Sequence, residues 1–138
     1  MAAEAHTDGL QWMHEVCFTE EQSVPANFYI GLATDASLAE TASLGDQTEV
    51  SGTGYERQAV ASNNTDITSA ATGTNDYKIT TKTVTFTAGG TWTGANTYFL
   101  ATSSDDSGIL IASGPLSETI TLEDTDTLTI AVQVNLTG

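Results

Sequence analysis

The sequence predicts a mainly β protein, an antiparallel β-sandwich of the jelly-roll type with one short N-terminal helix. Threonine, a β-branched residue that suits the solvent face of a strand, is concentrated after Thr65. About seven or eight candidate strands follow one another without intervening helices, which is typical of sandwiches and not of α/β folds. Apolar residues near the end of the chain alternate with polar ones at the period of a half-buried strand, and they are Leu128, Ile130, Val132, Val134 and Leu136.

The N-terminal region contains the predicted helix. Residues 1–8 carry nothing that would order them, so we expect a flexible terminus followed by a single domain over 9–138. Asp8 is a suitable N-cap for a helix over about residues 9–18. The apolar spacing predicts that Cys17 is buried and inert on one helix face, which comprises Leu10, Met13, Val16 and Cys17.

The chain after Pro25 is predicted to be β throughout. The run at 28–33 is apolar at nearly every position, which indicates a central strand buried on both faces. Residues 35–47 and 63–76 are small and polar, and we expect long loops there. Gly114-Pro115 should end a strand. The candidate strands are 27–33, 49–50, 55–61, 77–87, 97–102, 109–112, 116–122 and 127–136.

The charge balance limits the partners of the protein. Eighteen acidic residues face three basic ones, Arg57, Lys78 and Lys82, and the net charge is −15. Because phosphate contacts need clustered cations, we expect no binding to nucleic acid or to an anionic membrane. We also expect no transmembrane helix and no secretory signal. The acidic charges repel one another, and this repulsion is screened at 1 M salt, where the Debye length is about 3 Å. The charge balance therefore favours a halophilic source. An ordinary acidic surface in moderate salt is the alternative.

The sequence predicts no catalytic, cofactor-binding or metal-binding residues. His14 and Cys17 share a helix, but a nucleophilic pair also needs an orienting partner. The acidic stretches Asp105-Asp106 and Glu123–Asp126 lack the spacing of a calcium loop, and we interpret them as solvated turns. Asn63 begins a glycosylation sequon that matters only if the chain is modified.

The most distinctive segment is Glu49-Val50-Ser51-Gly52-Thr53-Gly54-Tyr55-Glu56-Arg57. Its glycines permit positive φ angles, and Tyr55 can bury its ring while its hydroxyl stays hydrogen-bonded. Arg57 is the only arginine, and its planar fork suits a bidentate carboxylate pair. Three arrangements are open: a tie to Glu49 within the chain, a contact with an acid on a neighbouring subunit, or plain exposure.

This segment resembles a motif in small β-rich virion structural proteins of tailed phages and archaeal tailed viruses. The resemblance extends over about residues 9–138, in order, through Phe28–Ala33, Val84-Thr85-Phe86, Trp92-Thr93-Gly94, Gly108-Ile109-Leu110, Pro115-Leu116 and Asp124–Leu136. It implies a non-enzymatic protein of the virion, made in the host cytoplasm: a capsid decoration, turret or head-fibre subunit. Together with the closed cyclic symmetry that suits a surface spike, the resemblance also implies a homo-oligomer, specifically a trimer. This trimer would contact the major capsid protein or other virion proteins.

An alternative is a tail-fibre or baseplate-associated module that binds host glycans, with Trp92 and Tyr77 as stacking platforms. A third, an acidic hydrolase, lacks any visible activated nucleophile. The N-terminal helix either contacts other subunits or caps one end of the sandwich. The candidate structural or interface residues are Trp12, Met13, Phe18, Glu49, Tyr55, Arg57 and Trp92.

Overall fold

A computed structural model of the chain describes residues 2–137 and has the mainly β fold with one short helix that the sequence predicts. The helix α1 spans Thr7–His14 and continues as a π-helical turn over Glu15–Thr19, and a 3-10 turn spans Leu44–Asp46. The strands are β1 (Ala2–Ala5), β2 (Asn27–Ala33), β3 (Gln58–Ala61), β4 (Ile67–Gly73), β5 (Asp76–Thr81), β6 (Val84–Thr87), β7 (Ala95–Ala101), β8 (Leu110–Ile120), β9 (Thr127–Ile130) and β10 (Gln133–Thr137). None of the helices among these residues is long and apolar enough to cross a membrane.

The strands form two layers. Eight of them make one curled sheet in the order β3-β2-β7-β8-β1-β10-β5-β4, and β6 pairs with β9 in a second, smaller sheet. Every neighbouring pair is antiparallel except β1 with β10. The main core contains apolar side chains from both sheets, among them Ile30, Leu32 and Leu100 from the large sheet and Val84, Phe86 and Ile130 from the small one. The predicted sandwich-like architecture is therefore confirmed.

The middle of the large sheet is buried on both faces. On the side away from the small sheet, Phe99 and Ala101 of β7 form a second apolar cluster with Leu44, which lies in the connection between β2 and β3. That connection contains the 3-10 turn and covers the sheet. The double burial explains why β2 and β7 are nearly continuous apolar runs, as the sequence predicted for residues 28–33.

The predicted flexible terminus at 1–8 is wrong over the residues described. Ala2–Ala5 form β1, which pairs with β8 on one side and β10 on the other, and α1 begins at Thr7. Ala3 is buried at 3% exposure. The strand is held by its backbone hydrogen bonds on both edges, which a short Ala- and Glu-containing segment does not reveal in its side-chain pattern. The expectation of a single domain stays a prediction.

The helix lies where it was predicted, but its buried face is rotated. Gly9 and Trp12 are buried, and Met13 and Val16 pack against the core, whereas Cys17 is exposed. A side chain at Gly9 would bring a Cβ atom to 2.6 Å from the carbonyl oxygen of Ile111, so the helix rests directly on β8 through this glycine. The sequence reading favoured Leu10 and Cys17 because it could not weigh a glycine as a contact residue.

Four parts of the strand prediction also differ from the structure. The expected loop at 63–76 contains β4, whose small polar side chains are mostly exposed. Gly114-Pro115 does not end a strand, because β8 continues to Ile120 with a register irregularity opposite Ala95–Thr97. Two long candidate strands, 77–87 and 127–136, are each divided between the two sheets.

Candidate functional site

Arg57 lies at the centre of a buried polar cluster. Its Nε donates to Glu49 Oε1 at 2.9 Å and one terminal nitrogen donates to Glu49 Oε2 at 2.8 Å, which is the bidentate geometry of a strong ion pair. The same terminal nitrogen donates to Asp106 Oδ1 at 2.6 Å, and the other donates to the carbonyl oxygens of Ser103 and Asp105. The side chain is only 2% exposed, and all three of its guanidinium nitrogens are hydrogen-bonded to acceptors within the protein.

The surroundings of Arg57 stabilise its charged form. Burial lowers the pKa of Arg57, but the hydrogen bonds and charges of Glu49 and Asp106 outweigh that effect and raise the pKa above its ordinary value. The guanidinium carbon lies 5.1 Å from the centre of the Phe99 ring, a cation–π distance. Of the three arrangements open at the sequence level, the structure has the tie within the chain.

Tyr55 extends the cluster into the core. Its hydroxyl donates to Glu49 Oε1 at 2.7 Å and accepts the backbone N–H of Leu32 at 2.9 Å. Burial raises the pKa of Tyr55 well above its usual range, so the hydroxyl stays protonated. Its ring stacks on Phe86 at 6.2 Å and meets Trp92 edge-on at 5.3 Å. Tyr55 therefore connects the ion pair to the main aromatic core.

The loop before Tyr55 needs its glycines. Gly54 has a backbone φ of +82°, which residues other than glycine rarely adopt. A Cβ atom at Gly52 would lie 2.2 Å from Trp92 Cδ1, so the indole packs directly on this backbone. Trp92 Nε1 donates to the Thr53 carbonyl oxygen at 2.8 Å. The motif thus folds as a unit around Trp92, which is 3% exposed and cannot stack on a sugar.

The three candidate residues of the helix divide between two roles. Trp12 is 8% exposed and meets Phe28 edge-on at 5.8 Å, and Met13 packs against the core. Phe18 points outward and is 79% exposed, beside His14 at 5.6 Å between ring centroids. The helix therefore covers part of the core and also presents an aromatic side chain to solvent.

The acidic turns are used inside the chain. Asp106 pairs with Arg57, and the Asp105 carboxylate accepts hydrogen bonds from the Ser107 hydroxyl and N–H, which lower the pKa of Asp105. Asp126 accepts the N–H of Glu123 at 3.0 Å and closes the other turn. Over residues 2–137, no three His, Cys, Asp or Glu residues come together as a metal site would require.

The structure brings together one pair that the sequence analysis missed. His6 Nε2 lies 2.6 Å from Ser113 Oγ, and both residues are buried. A serine beside a histidine is one part of a nucleophilic site, but within residues 2–137 no carboxylate is hydrogen-bonded to His6 to orient its ring. The two residues are 107 positions apart, and only the register of β1 on β8 joins them.

The seven candidate residues therefore fall into two groups. Glu49, Tyr55, Arg57 and Trp92 form one connected cluster, while Trp12, Met13 and Phe18 lie on the helix. The cluster links the 49–57 segment to the turn that follows β7, and its polar groups are directed at one another. Its hydrogen bonds and ion pairs clamp these two segments of the chain to each other.

Comparison with known proteins gives the family. No curated protein matches the chain. The family of the podophage GP4 fiber I protein gp80 matches residues 10–137, which is nearly the whole chain, and the resemblance to virion structural proteins agrees with this finding. The chain therefore belongs to the gp80 fibre-protein family of podophages, a family of virion-associated structural proteins.

Proposed function

We propose that the protein is a non-enzymatic structural subunit on the head of the virion, as a decoration, turret or head-fibre protein. The observation that carries the structural role is the Arg57 cluster, in which one buried guanidinium bonds to Glu49, to Asp106 and to two carbonyl oxygens and so joins two segments of the chain. The His6–Ser113 pair supports the same reading, because it lacks an orienting carboxylate and ties β1 to β8. These contacts hold segments of the chain together, as expected of a structural protein.

The helix is the proposed contact with a second virion protein, and the major capsid protein is the expected partner. Phe18 and Leu10 are exposed apolar side chains on this element, and Val24 is exposed in the segment after it. The surrounding acids include Glu15, Glu20 and Glu21. A surface with an apolar centre and an acidic rim fits a partner whose own rim carries lysine or arginine.

We further propose that the subunit assembles as a trimer and works in concentrated salt. Closed cyclic symmetry suits a spike or a threefold position on a capsid. The net charge of −15 is poorly compensated, since Arg57 is buried and Lys82 already pairs with Asp66 at 2.6 Å. Screening by multimolar salt relieves this repulsion, as expected for the virus of a salt-loving host.

Imaging of intact particles tests the location. Gold-labelled antibody fragments against this protein should decorate the head in a regular pattern in electron micrographs. Particles that lack the protein, labelled in parallel, provide the control for non-specific binding. Label confined to the tail would overturn the head assignment and favour the tail-fibre or baseplate alternative. In that case Tyr77, which is 56% exposed, would be the aromatic residue to test against host glycans.

A further inference from the structure

The hairpin formed by β4 and β5 has an open edge. β4 is the last strand of the large sheet, and its only neighbour among the described strands is β5. The strand reads Ile-Thr-Ser-Ala-Ala-Thr-Gly, without a charge, and Thr68–Gly73 are all exposed. Natural proteins usually protect such an edge with charges, proline or a covering segment, because its backbone groups can pair with another chain.

On one face of this hairpin, apolar side chains extend from the buried core to the exposed surface. Val134 is buried, and Ile79, its partner in register, is half-buried and packs against the main core. The next row outward on the same face joins Ala71, Tyr77 and Leu136 in direct register across β4, β5 and β10. Tyr77 is 56% exposed and Leu136 is 38% exposed. An apolar row that extends the core to the surface is typical of a face covered in an assembly.

Charge distinguishes this surface from the helix. Residues 67–81 contain one acid, Asp76, and one base, Lys78, so the hairpin is neutral in a chain of net charge −15. Each copy brings one acid, Asp76, and one base, Lys78, to a contact here, so the net charge repulsion between two copies is small. The helix surface, with its acidic rim, would repel a second copy that presents the same rim.

We propose that the β4–β5 hairpin, together with the end of β10, is the surface through which copies of this chain contact one another. The row Ala71, Tyr77 and Leu136 packs against the same hairpin of a neighbouring copy around the symmetry axis. The open edge of β4 lies at the margin of this contact. The inference deepens the proposed assembly of the subunit, but it does not depend on where the protein sits in the virion.

The test is the mass of the purified full chain in solution, measured by light scattering after size exclusion over a range of concentrations and at high salt. All proteins carry Cys17→Ser, because Cys17 is exposed and would form disulfide-linked pairs. The variant is Tyr77→Glu with Leu136→Glu, and the matched control is Phe18→Glu, which adds a carboxylate to the rival apolar surface. We expect the control to remain an oligomer and the hairpin variant to dissociate, with a dissociation constant raised by about 100-fold or more.

Cross-linking gives a second measurement that does not require the contact between copies to be disrupted. A cysteine introduced as Ala71→Cys should form interchain disulfides on mild oxidation, while Glu118→Cys, on an exposed part of β8, should not. A monomeric wild-type chain at all concentrations would overturn the inference. So would a hairpin variant with the wild-type mass, or dissociation caused by Phe18→Glu alone. Because these readouts use the isolated chain, they are independent of the particle imaging that tests the proposed location.

Discussion

Replacement of Arg57 by alanine tests the central claim that the Arg57 cluster is a structural clamp. The substitution removes the hydrogen bonds that join Glu49, Asp106 and two carbonyl oxygens through one side chain. It leaves Glu49, whose side chain is 26% exposed, with the hydroxyl of Tyr55 as a donor but without its countercharge. Unfolding should therefore become easier even though Arg57 is a charged residue and not one of the apolar core residues.

The magnitude follows from burial. Removal of one partner of a buried ion pair costs roughly 3–5 kcal/mol, and because Glu49 can relax towards water we expect about 2–4 kcal/mol here. Asp106 is 62% exposed, so water replaces the guanidinium at that carboxylate and its share is small. A loss near the middle of this range lowers the melting temperature by about 10 °C in a chain of this size.

Urea unfolding followed by tryptophan fluorescence measures the effect, since Trp12 and Trp92 are both buried. Arg57→Lys keeps the charge but loses the fork, so its stability should lie between the wild type and Arg57→Ala. Lys82→Ala is the matched control, because it breaks an ion pair at a lysine that is 45% exposed and should change little. If Arg57→Ala unfolded at the wild-type urea concentration, the clamp interpretation would be refuted.

Three further predictions address charge, pH and packing. The melting temperature should rise as NaCl increases from about 0.1 M to about 1 M, because the Debye length shortens from about 10 Å to about 3 Å; an unchanged value would contradict the repulsion argument. Burial lowers the pKa of His6, so at mildly acidic pH the unfolded state binds a proton that the folded state does not. The free energy of unfolding should therefore fall as the pH drops below about 6.5, by at most about 1.4 kcal/mol per pH unit. Titration of stability between pH 7.5 and 5.5 tests this, and His6→Gln should reduce the slope while His14→Gln, at an exposed position, should not. Gly52→Ala should cost about 1–3 kcal/mol because its Cβ would overlap Trp92, whereas Gly45→Ala, with no atom within 4 Å, should melt like the wild type; equal melting of the two variants would show that Trp92 can move aside.

The sequence was informative wherever side chains report their own burial. The double-sided apolar run predicted β2. The alternation near the end of the chain predicted the burial of Ile130, Val132 and Val134 correctly, but Leu128 is half-buried and Leu136 is exposed. The sequence did not show that the chain changes sheets between Ile130 and Gln133, because the alternation continues through that step. Hydrogen bonds mark it instead: Val132 N–H donates to Thr81 Oγ1, and its carbonyl accepts the Thr81 N–H.

The candidate site was predictable in part for a similar reason. A lone arginine near glycines, a tyrosine and a glutamate suggested a paired guanidinium, and Glu49 is its partner. Asp106 could not be identified, because it lies 49 residues away in a turn that looks solvated. His6 was missed because its burial depends on β1, and β1 is held by backbone contacts that leave no pattern in the side chains.

The position of β1 determines the order in which the fold can be completed. β1 is the only described strand that joins the β3-β2-β7-β8 half of the large sheet to the β10-β5-β4 half. During translation the earliest of the described strands must therefore wait for the latest, β10, to leave the ribosome before the two halves can be joined. Closure of the sheet is a late step, governed by contacts distant in sequence, and such topologies fold slowly. Until then the unpaired edges of β8 and β10 are exposed to other chains, which is the stage at which misassembly is most probable.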